Sequence, residues 1–356
     1  MSFTCCSHRV SFTEAVILLI LALVSFSILH QLSFIVDPSF HNYFQRPIHT
    51  ISTCHLPDRE DTRRLSTQPS PNIPNLVHQT WKTSDLNTYP IEASQKSWKF
   101  FFEPLNYTIK LWTDEDIRVL IQDGYPWLLD TYDGYSHDVQ RADIARLVII
   151  HAEGGIYADL DVFPVVKNGA LRNGITCLQS LGMAAVFSPM GENDGLSNHF
   201  FMAEKGSAFL EEALQEAVRR GGARSKIIIL PYLRTFWSTG PLMITAAARH
   251  FHHTSSATEQ TRLLAVMDDN YTRSVVSHKA GRSWHGWDGH ALNWVADHML
   301  LKTLSEISSL RCFLSESSRS DDCGLHAGTD AAEDPALVTT TFYSYHLTVY
   351  HLIPRL

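Results

Sequence analysis

Two aspartates, Asp159 and Asp161, form the pair of side chains in this sequence best suited to chemistry. They lie one residue apart and follow the apolar segment 156–158 directly. On an extended backbone alternate side chains share a face, so we expect the two carboxylates roughly 6 to 7 Å apart. Like charges at that separation repel each other unless a cation lies near them. Carboxylate oxygens suit Mg²⁺ or Mn²⁺, and the pair therefore predicts a divalent metal site.

The position of this pair indicates what such a metal would do. The apolar residues before Asp159 predict a buried strand, and in open α/β sheets ligands bind at the carboxyl ends of strands. A diphosphate leaving group is weakly basic but doubly charged, so its departure needs a dication more than a proton donor. The pair thus favours group transfer from a nucleotide diphosphate. The plain alternative for two aspartates at this spacing is a polar strand end at the surface.

A second charged pair, Asp143 and Arg146, lies three residues apart on a predicted helix spanning 139–151. Residues at this spacing share one helix face. In the functional interpretation Arg146 contacts phosphate or sugar oxygens and Asp143 accepts hydrogen bonds from hydroxyl groups. In the plain interpretation the two form an intrahelical ion pair worth about 0.2–0.5 kcal/mol.

The elements that must position these residues alternate between strand and helix. Apolar alternation and flanking turns predict strands, whereas a 3.6-residue period and capping residues predict helices. The predicted strands are 76–81, 107–112 and 156–158, and the predicted helices are 117–122 after the cap Thr113, 139–151 before Gly154, and 209–220. This order predicts an α/β fold.

The amino-terminal segment 15–36 is apolar over the roughly 20 residues that a membrane-spanning helix requires. A cleavable signal peptide is the alternative, but its cleavage site would have to be the poor Ser25-Phe26-Ser27. We therefore expect an uncleaved signal anchor with a cytosolic amino end. The predicted organisation is a cytosolic tail (1–14), a span (15–36), a stem rich in Ser, Thr, Pro, Arg and His (37–71) and a luminal domain (72–351).

Other features agree with a lumen and exclude one partner class. The net charge of -8 argues against nucleic-acid binding, which a basic balance would favour. Asn106 and Asn270 each begin an N-glycosylation tripeptide. Four cysteines would lie in an oxidising lumen, where three pairings are open; they are Cys54, Cys177, Cys312 and Cys323.

Two segments carry a family resemblance. Gln-Arg-Ala-Asp-Ile-Ala-Arg at 140–146 and Gly-Gly-Ile-Tyr-Ala-Asp-Leu-Asp at 154–161 resemble the signature of the DXD-containing glycosyltransferase family 32. The segment 73–82 is similar to the opening strand of that family, and 111–114 is similar to its second strand. The family includes fungal Golgi mannosyltransferases. The resemblance covers most of the chain after residue 72.

The resemblance implies a GT-A type fold with a Rossmann-like mixed sheet and a retaining, Mn²⁺- or Mg²⁺-dependent enzyme in the Golgi membrane. It implies mannose transfer from GDP-mannose to a glycan or glycolipid acceptor. The implied catalytic residues are Asp159, Asp161 and Arg146. The implied donor-binding residues are Trp81, which would stack on the base, and Asp143, Arg146 and Asp159. Asp161 and Asp159 would bind the metal, and His278 and His285 could bring an imidazole to it.

Some features depart from this pattern. The segment Asn-His-Phe-Phe at 198–201 differs from the Asn-Asp-aliphatic sequence expected there, which leaves the acceptor open. Ceramide-directed relatives commonly carry a further carboxyl-terminal span, and its absence here disfavours a lipid acceptor. The alternatives to a transferase are a glycoside hydrolase that uses the aspartate pair and an inactive membrane-anchored lectin or scaffold. The intact Asp143, Arg146, Asp159 and Asp161 favour the transferase.

Overall fold

The computed structural model describes residues 11–34, 48–54, 73–165, 170–190, 193–254, 264–279 and 286–290. The helices are α1 Phe12–Ser33, α2 Gln95–Phe102, α3 Asp114–Gly124, α4 Pro126–Asp133, α5 Asp138–Glu153, α6 Ala170–Ser180, α7 Ala208–Arg220, α8 Ala223–Lys226, α9 Pro231–Ser238, α10 Pro241–Thr254 and α11 Asp269–Val275. The strands are β1 His49–Ile51, β2 Leu76–Thr80, β3 Thr108–Trp112, β4 Gly155–Ala158, β5 Val162–Pro164, β6 Ala185–Met190, β7 Asn193–Ala203, β8 Ala265–Met267 and β9 Val276–His278.

Seven strands form one mixed sheet in the order β1-β8-β6-β7-β4-β2-β3. Neighbouring strands run parallel except where β7 pairs antiparallel with both β6 and β4. β5 and β9 form a separate antiparallel pair. The α/β class predicted from the sequence is confirmed, and the sheet is mixed as expected.

Helices cover both faces of this sheet because the strand side chains alternate between two hydrophobic clusters. Tyr157 and Phe201 point into the cluster formed with α3, α4, α5, α7 and α10, whereas Ile156 and Phe200 point into the cluster with α2, α6 and α11. This alternation is the ordinary two-residue period of a strand. It places Tyr157 on the α5 side of β4. Asp159, two residues later, continues on the same face.

Helix α1 is apolar and solvent-exposed from its first residue to Leu29. Its 22 residues correspond to about 33 Å, close to the ~30 Å hydrocarbon core of a bilayer. The segment Phe12–Gln31 has a mean hydropathy of 2.5, and Gln31 at its end is buried. The helix is thus long and apolar enough to cross a membrane. Its first and last residues each lie three positions earlier than those of the predicted segment 15–36.

The sheet begins earlier in the chain than the composition indicated. Residues 48–54 fall in the predicted stem, yet β1 pairs in parallel with β8 at the sheet edge. Cys54 is bonded to Cys177 of α6, with a Cα–Cα distance of 6.0 Å. A three-residue strand is too short to show a period, so long-range pairing and the disulfide determine its structure. Cys312 and Cys323 lie outside the described residues.

Candidate active site

Asp159 and Asp161 lie in a tight turn where the fully buried strand β4 ends. The Val162 N–H donates to the Asp159 carbonyl oxygen at 2.9 Å and closes the turn. The Asp159 N–H donates to the carbonyl oxygen of His199 in β7 at 2.9 Å. The Ser94 N–H donates to the Leu160 carbonyl oxygen at 2.7 Å, which anchors the turn on its other side. The turn is therefore fixed by backbone bonds to two separate elements.

The turn lies at a position in the strand order where α/β sheets bind ligands. β2 pairs with β3 on one side and with β4 on the other, so the order in which successive strands are added to the sheet reverses at β2. Ligands of open α/β sheets bind at the carboxyl ends of strands at such a point. Trp81 follows β2 and Asp159 follows β4, so the two predicted donor-binding residues emerge from adjacent strand ends.

Arg146 joins the two acidic parts of the site. Its Nη1 lies 3.2 Å from Oδ2 of Asp159, and its Nη2 lies 3.4 Å from Oδ1 of Asp143. Nη1 also donates to the Asn198 carbonyl oxygen at 3.1 Å, and Nε donates to the Ala142 carbonyl oxygen at 3.3 Å. The Arg146 side chain is 9% exposed. This guanidinium thus clamps α5, the β4 turn and β7 together.

Tyr157 holds the other oxygen of Asp159. Its hydroxyl donates to Oδ1 of Asp159 at 2.8 Å and lies 3.0 Å from Oγ1 of Thr80. The guanidinium carbon of Arg146 lies 5.1 Å from the centre of the Tyr157 ring, within cation–π range. Both carboxylate oxygens of Asp159 therefore have a protein hydrogen-bond donor.

Asp143 is engaged by protein groups on both oxygens as well. Asn198 Nδ2 donates to Oδ1 at 3.1 Å, and Thr239 Oγ1 donates to Oδ2 at 2.9 Å. Burial raises the pKa of Asp143, and the charge of Arg146 together with these two hydrogen bonds opposes that rise. In this structure Asp143 connects α5 to β7 and to the end of α9.

Two histidines lie beside Asp161. Nε2 of His278 lies 3.4 Å from Oδ2 of Asp161, and the rings of His278 and His199 stack with centres 4.4 Å apart. Burial lowers the pKa of His199 to about 3, with the His278 and Arg146 charges adding to the effect. Burial also lowers the pKa of His278, but the hydrogen bond and charge of Asp161 outweigh burial and raise it overall. His285 lies outside the described residues.

The balance of charge in this cluster suits a cation. The guanidinium of Arg146 pairs with Asp143 and Asp159, whereas Asp161 lies beside His278. Burial and the charge of Asp161 raise the pKa of Asp159, while Arg146 lowers it. Oxygen ligands with one imidazole fit Mn²⁺ or Mg²⁺. Within the described ranges no three His, Cys, Asp or Glu side chains already form a metal-ligating group. Ligation of a cation by Asp161, Asp159 and His278 therefore stays a prediction.

Trp81 lies at the rim of the site and is half-buried. Its indole N–H donates to Oγ1 of Thr88 at 2.7 Å, and the Tyr89 ring packs edge-on against it at 4.8 Å between centres. Burial and the charges of Asp161 and Asp159 raise the pKa of Tyr89, so this phenol lies near the acidic pair. The loop after β2 therefore connects the predicted base-stacking residue to the predicted metal ligands.

Sequence reasoning missed several contributors. Tyr157 carried a usable signal, because it lies two residues before Asp159 and so shares its face of the strand. Asn198 and Thr239 lie in segments that the family resemblance includes, but nothing in the sequence indicated that they contact Asp143. Tyr89 carried no signal, because it reaches the site only through tertiary packing. His199 belongs to the segment that departs from the family pattern, and its ring covers the imidazole beside Asp161.

The comparisons with known proteins support the resemblance found in the sequence. Residues 75–176, which contain β2, α5 and the aspartate turn, match the family model described as glycosyltransferase sugar-binding region containing DXD motif. The sequence resemblance to DXD-containing glycosyltransferases is confirmed.

Individual proteins are similar to this chain over part of its length. Inositol phosphoceramide mannosyltransferase 3 of Schizosaccharomyces pombe is 31% identical over 65% of this chain and 61% of its own length. Mannosyl phosphorylinositol ceramide synthase CSH1 of Saccharomyces cerevisiae is 30% identical over 65% of this chain and 58% of its own length. The chain thus spans about three fifths of these curated relatives. A solved structure, PaToxG glycosyltransferase, aligns with a TM-score of 0.34 and 17% identity over 51% of this chain and 70% of its own.

Proposed function

We propose that this chain is a membrane-anchored, metal-dependent glycosyltransferase that transfers mannose from GDP-mannose to a glycolipid acceptor. The observation that carries the proposal is the Asp159–Asp161 turn, which lies at a strand end within the matched family region and beside a buried Arg146. The names of the relatives, which describe mannosyl transfer to inositol phosphoceramide, support mannose as the sugar and a lipid as the acceptor, the acceptor class that the sequence pattern disfavoured. The apolar helix α1 supports a membrane anchor. The Golgi address and the luminal position of the domain are part of the proposal and follow from the family resemblance.

Each residue then has a role that follows from its contacts. Asp161, Asp159 and His278 would hold the divalent cation, which supplies positive charge to the departing diphosphate. Trp81 would stack on the nucleotide base. Tyr157 and Arg146 orient Asp159 from either side. The observed partners of Arg146 favour a positioning role. Its contact with the donor stays a prediction.

The contacts also bear on stereochemistry. A retaining double displacement would need a carboxylate nucleophile beneath the anomeric carbon. Asp143 and Asp159 each have protein donors on both oxygens, and Asp161 is assigned to the metal. We therefore propose transfer on one face of the sugar. The bond from the anomeric carbon to the diphosphate breaks, the bond to the acceptor oxygen forms, and the leaving phosphate oxygen takes the acceptor proton.

The test is a transfer and donor-hydrolysis assay across nucleotide sugars, with Mn²⁺ or with EDTA. We expect Asp161→Asn to abolish both activities, because an amide adds no charge to the cation site, and Asp159→Asn to remove nearly as much. Asp123→Asn, an exposed acid on α3, is the matched control and should behave as wild type. Full activity of Asp161→Asn in EDTA would exclude the metal mechanism. Cleavage of glycosides without a nucleotide sugar would favour the hydrolase instead.

A further inference from the structure

The far end of the apolar helix α1 is docked on the catalytic domain through one buried polar side chain. Oε1 of Gln31 accepts a hydrogen bond from the Ile229 N–H at 2.8 Å, and Nε2 of Gln31 donates to the Ile227 carbonyl oxygen at 3.4 Å. The ring of Phe34 packs edge-on against Trp237 at 5.4 Å. Residues 224–229, which comprise the end of helix α8 and the turn after it, are here called the interface loop and are therefore fixed to the end of the span.

The interface loop has the side chains of a membrane-contacting segment. Ile227 and Ile229 are 54% and 64% exposed, whereas Ile228 between them is buried. Arg224 and Lys226 precede them and are exposed. Exposed aliphatic residues beside basic residues are typical of segments that lie at the boundary between headgroups and acyl chains. Long basic side chains there keep their charged ends at the level of the headgroups.

The depth of the loop follows from the helix. Residues 12–31 of α1 cover about 30 Å, which equals the thickness of the hydrocarbon core. With α1 across a bilayer, Gln31 would lie at the far boundary of that core, where a polar side chain can be accommodated. Because the loop is hydrogen-bonded to Gln31, it would lie at the same boundary.

We propose that the interface loop inserts Ile227 and Ile229 into the membrane surface and holds the active site next to the bilayer. Helix α9 begins just after the loop and ends at the site, where Gln140 Nε2 donates to Oγ of Ser238 at 2.7 Å and Thr239 contacts Asp143. Eight helical residues span about 12 Å. An acceptor headgroup can reach the site while its acyl chains stay in the bilayer. This consequence rests on the glycolipid acceptor proposed above.

Photo-crosslinking tests the contact itself, without reference to activity. The full-length chain carries a benzophenone amino acid at position 227, 229, 21 or 100 and is reconstituted in phosphatidylcholine–phosphatidylserine vesicles. Leu21 within the span is the positive control, and Phe100 on α2, which is 74% exposed, is the matched exposed control. We expect lipid adducts at positions 21, 227 and 229 and none at 100. Adducts at 21 alone, or equal adducts at 100 and 229, would overturn the proposal.

A kinetic test addresses the consequence for the acceptor. Ile227→Ser combined with Ile229→Ser changes two exposed side chains, so the fold should persist. We expect transfer to a vesicle-embedded lipid acceptor to fall on the order of tenfold, with donor hydrolysis unchanged and with Phe100→Ser unaffected. Unchanged transfer in the double variant would overturn the role of the loop. Absence of donor hydrolysis in the wild type would instead contradict the proposed function and leave the crosslinking result standing.

Discussion

The free energy of unfolding lost in an Arg146 variant distinguishes two interpretations of the pair that Arg146 forms with Asp143. An exposed intrahelical ion pair with Asp143 would be worth about 0.2–0.5 kcal/mol. The structure instead shows a guanidinium that is 9% exposed and shared between Asp143 and Asp159. Removing one member of a buried pair costs about 3–5 kcal/mol, because the remaining charge is left uncompensated. Asp159 is 25% exposed, which favours the lower end of that range. We therefore expect Arg146→Ala to lower the free energy of unfolding by about 3 kcal/mol.

Thermal unfolding of the full chain in detergent, followed by tryptophan fluorescence, measures this loss. For a domain of this size 3 kcal/mol corresponds to roughly 6–12 °C in Tm. Arg141→Ala is the matched control on the same helix, because Arg141 pairs with the exposed Asp138 three residues away. Its variant should lose less than about 1 kcal/mol.

A double-mutant cycle then identifies the partner. Asp143→Asn combined with Arg146→Ala should be less destabilising than the sum of the single changes, with a coupling of about 0.5–3 kcal/mol. Equal shifts for the Arg141 and Arg146 variants, or an additive cycle, would refute the buried-clamp interpretation. Either result would favour the donor-contacting role that the sequence predicts for Arg146.

Two further predictions concern stability. His78 is neutral in the fold, since its Nδ1 accepts from the Trp112 indole at 3.0 Å and its Nε2 lies 3.0 Å from the Gly154 carbonyl oxygen, and burial lowers its pKa to about 4. The unfolded state, with a histidine pKa near 6.5, binds more protons between pH 6.5 and 4, so stability should fall by about 2 kcal/mol from pH 7 to 5. Urea unfolding should show a smaller fall in His78→Gln, and an equal fall would contradict the assignment. Cys54→Ser combined with Cys177→Ser should cost about 5 kcal/mol, because the bond joins residues 123 apart in sequence. An unchanged Tm for that variant would contradict it.

The elements around the site were predictable because their signals are local. The capping box of Thr113 and Asp116 is visible in the sequence, and in the structure each side chain bonds to the other residue's backbone N–H. The glycines after α5 predict its end, and Gly154 adopts a φ of 70°, which favours glycine. The strand β4 and its carboxyl-terminal aspartates follow from a run of apolar residues.

The partners of the site residues were not predictable in this way. Asn198 and Thr239 lie 55 and 96 positions from Asp143, so no periodic pattern links them. The expectation that Asp143 accepts hydrogen bonds from hydroxyl groups rested on the helix face shared with Arg146 and on the family resemblance. It stays a prediction, and in the structure Asn198 and Thr239 donate to the two Asp143 oxygens. β1 was assigned to the stem, since its pairing with β8 spans more than two hundred residues.

The two aspartates of the turn are chemically distinct, although the sequence presents them as equivalent. Asp159 has Tyr157 on one oxygen and Arg146 on the other, so it is neutralised and oriented by the protein. Asp161 faces the imidazole of His278, a group that can itself bind a metal. Loss of either carboxylate should therefore impair transfer by different routes. Asp161→Asn removes charge from the cation site, whereas Asp159→Asn weakens the link to Arg146 and loosens the turn that presents Asp161. Raising the Mn²⁺ concentration should not restore Asp161→Asn if that residue is a direct ligand.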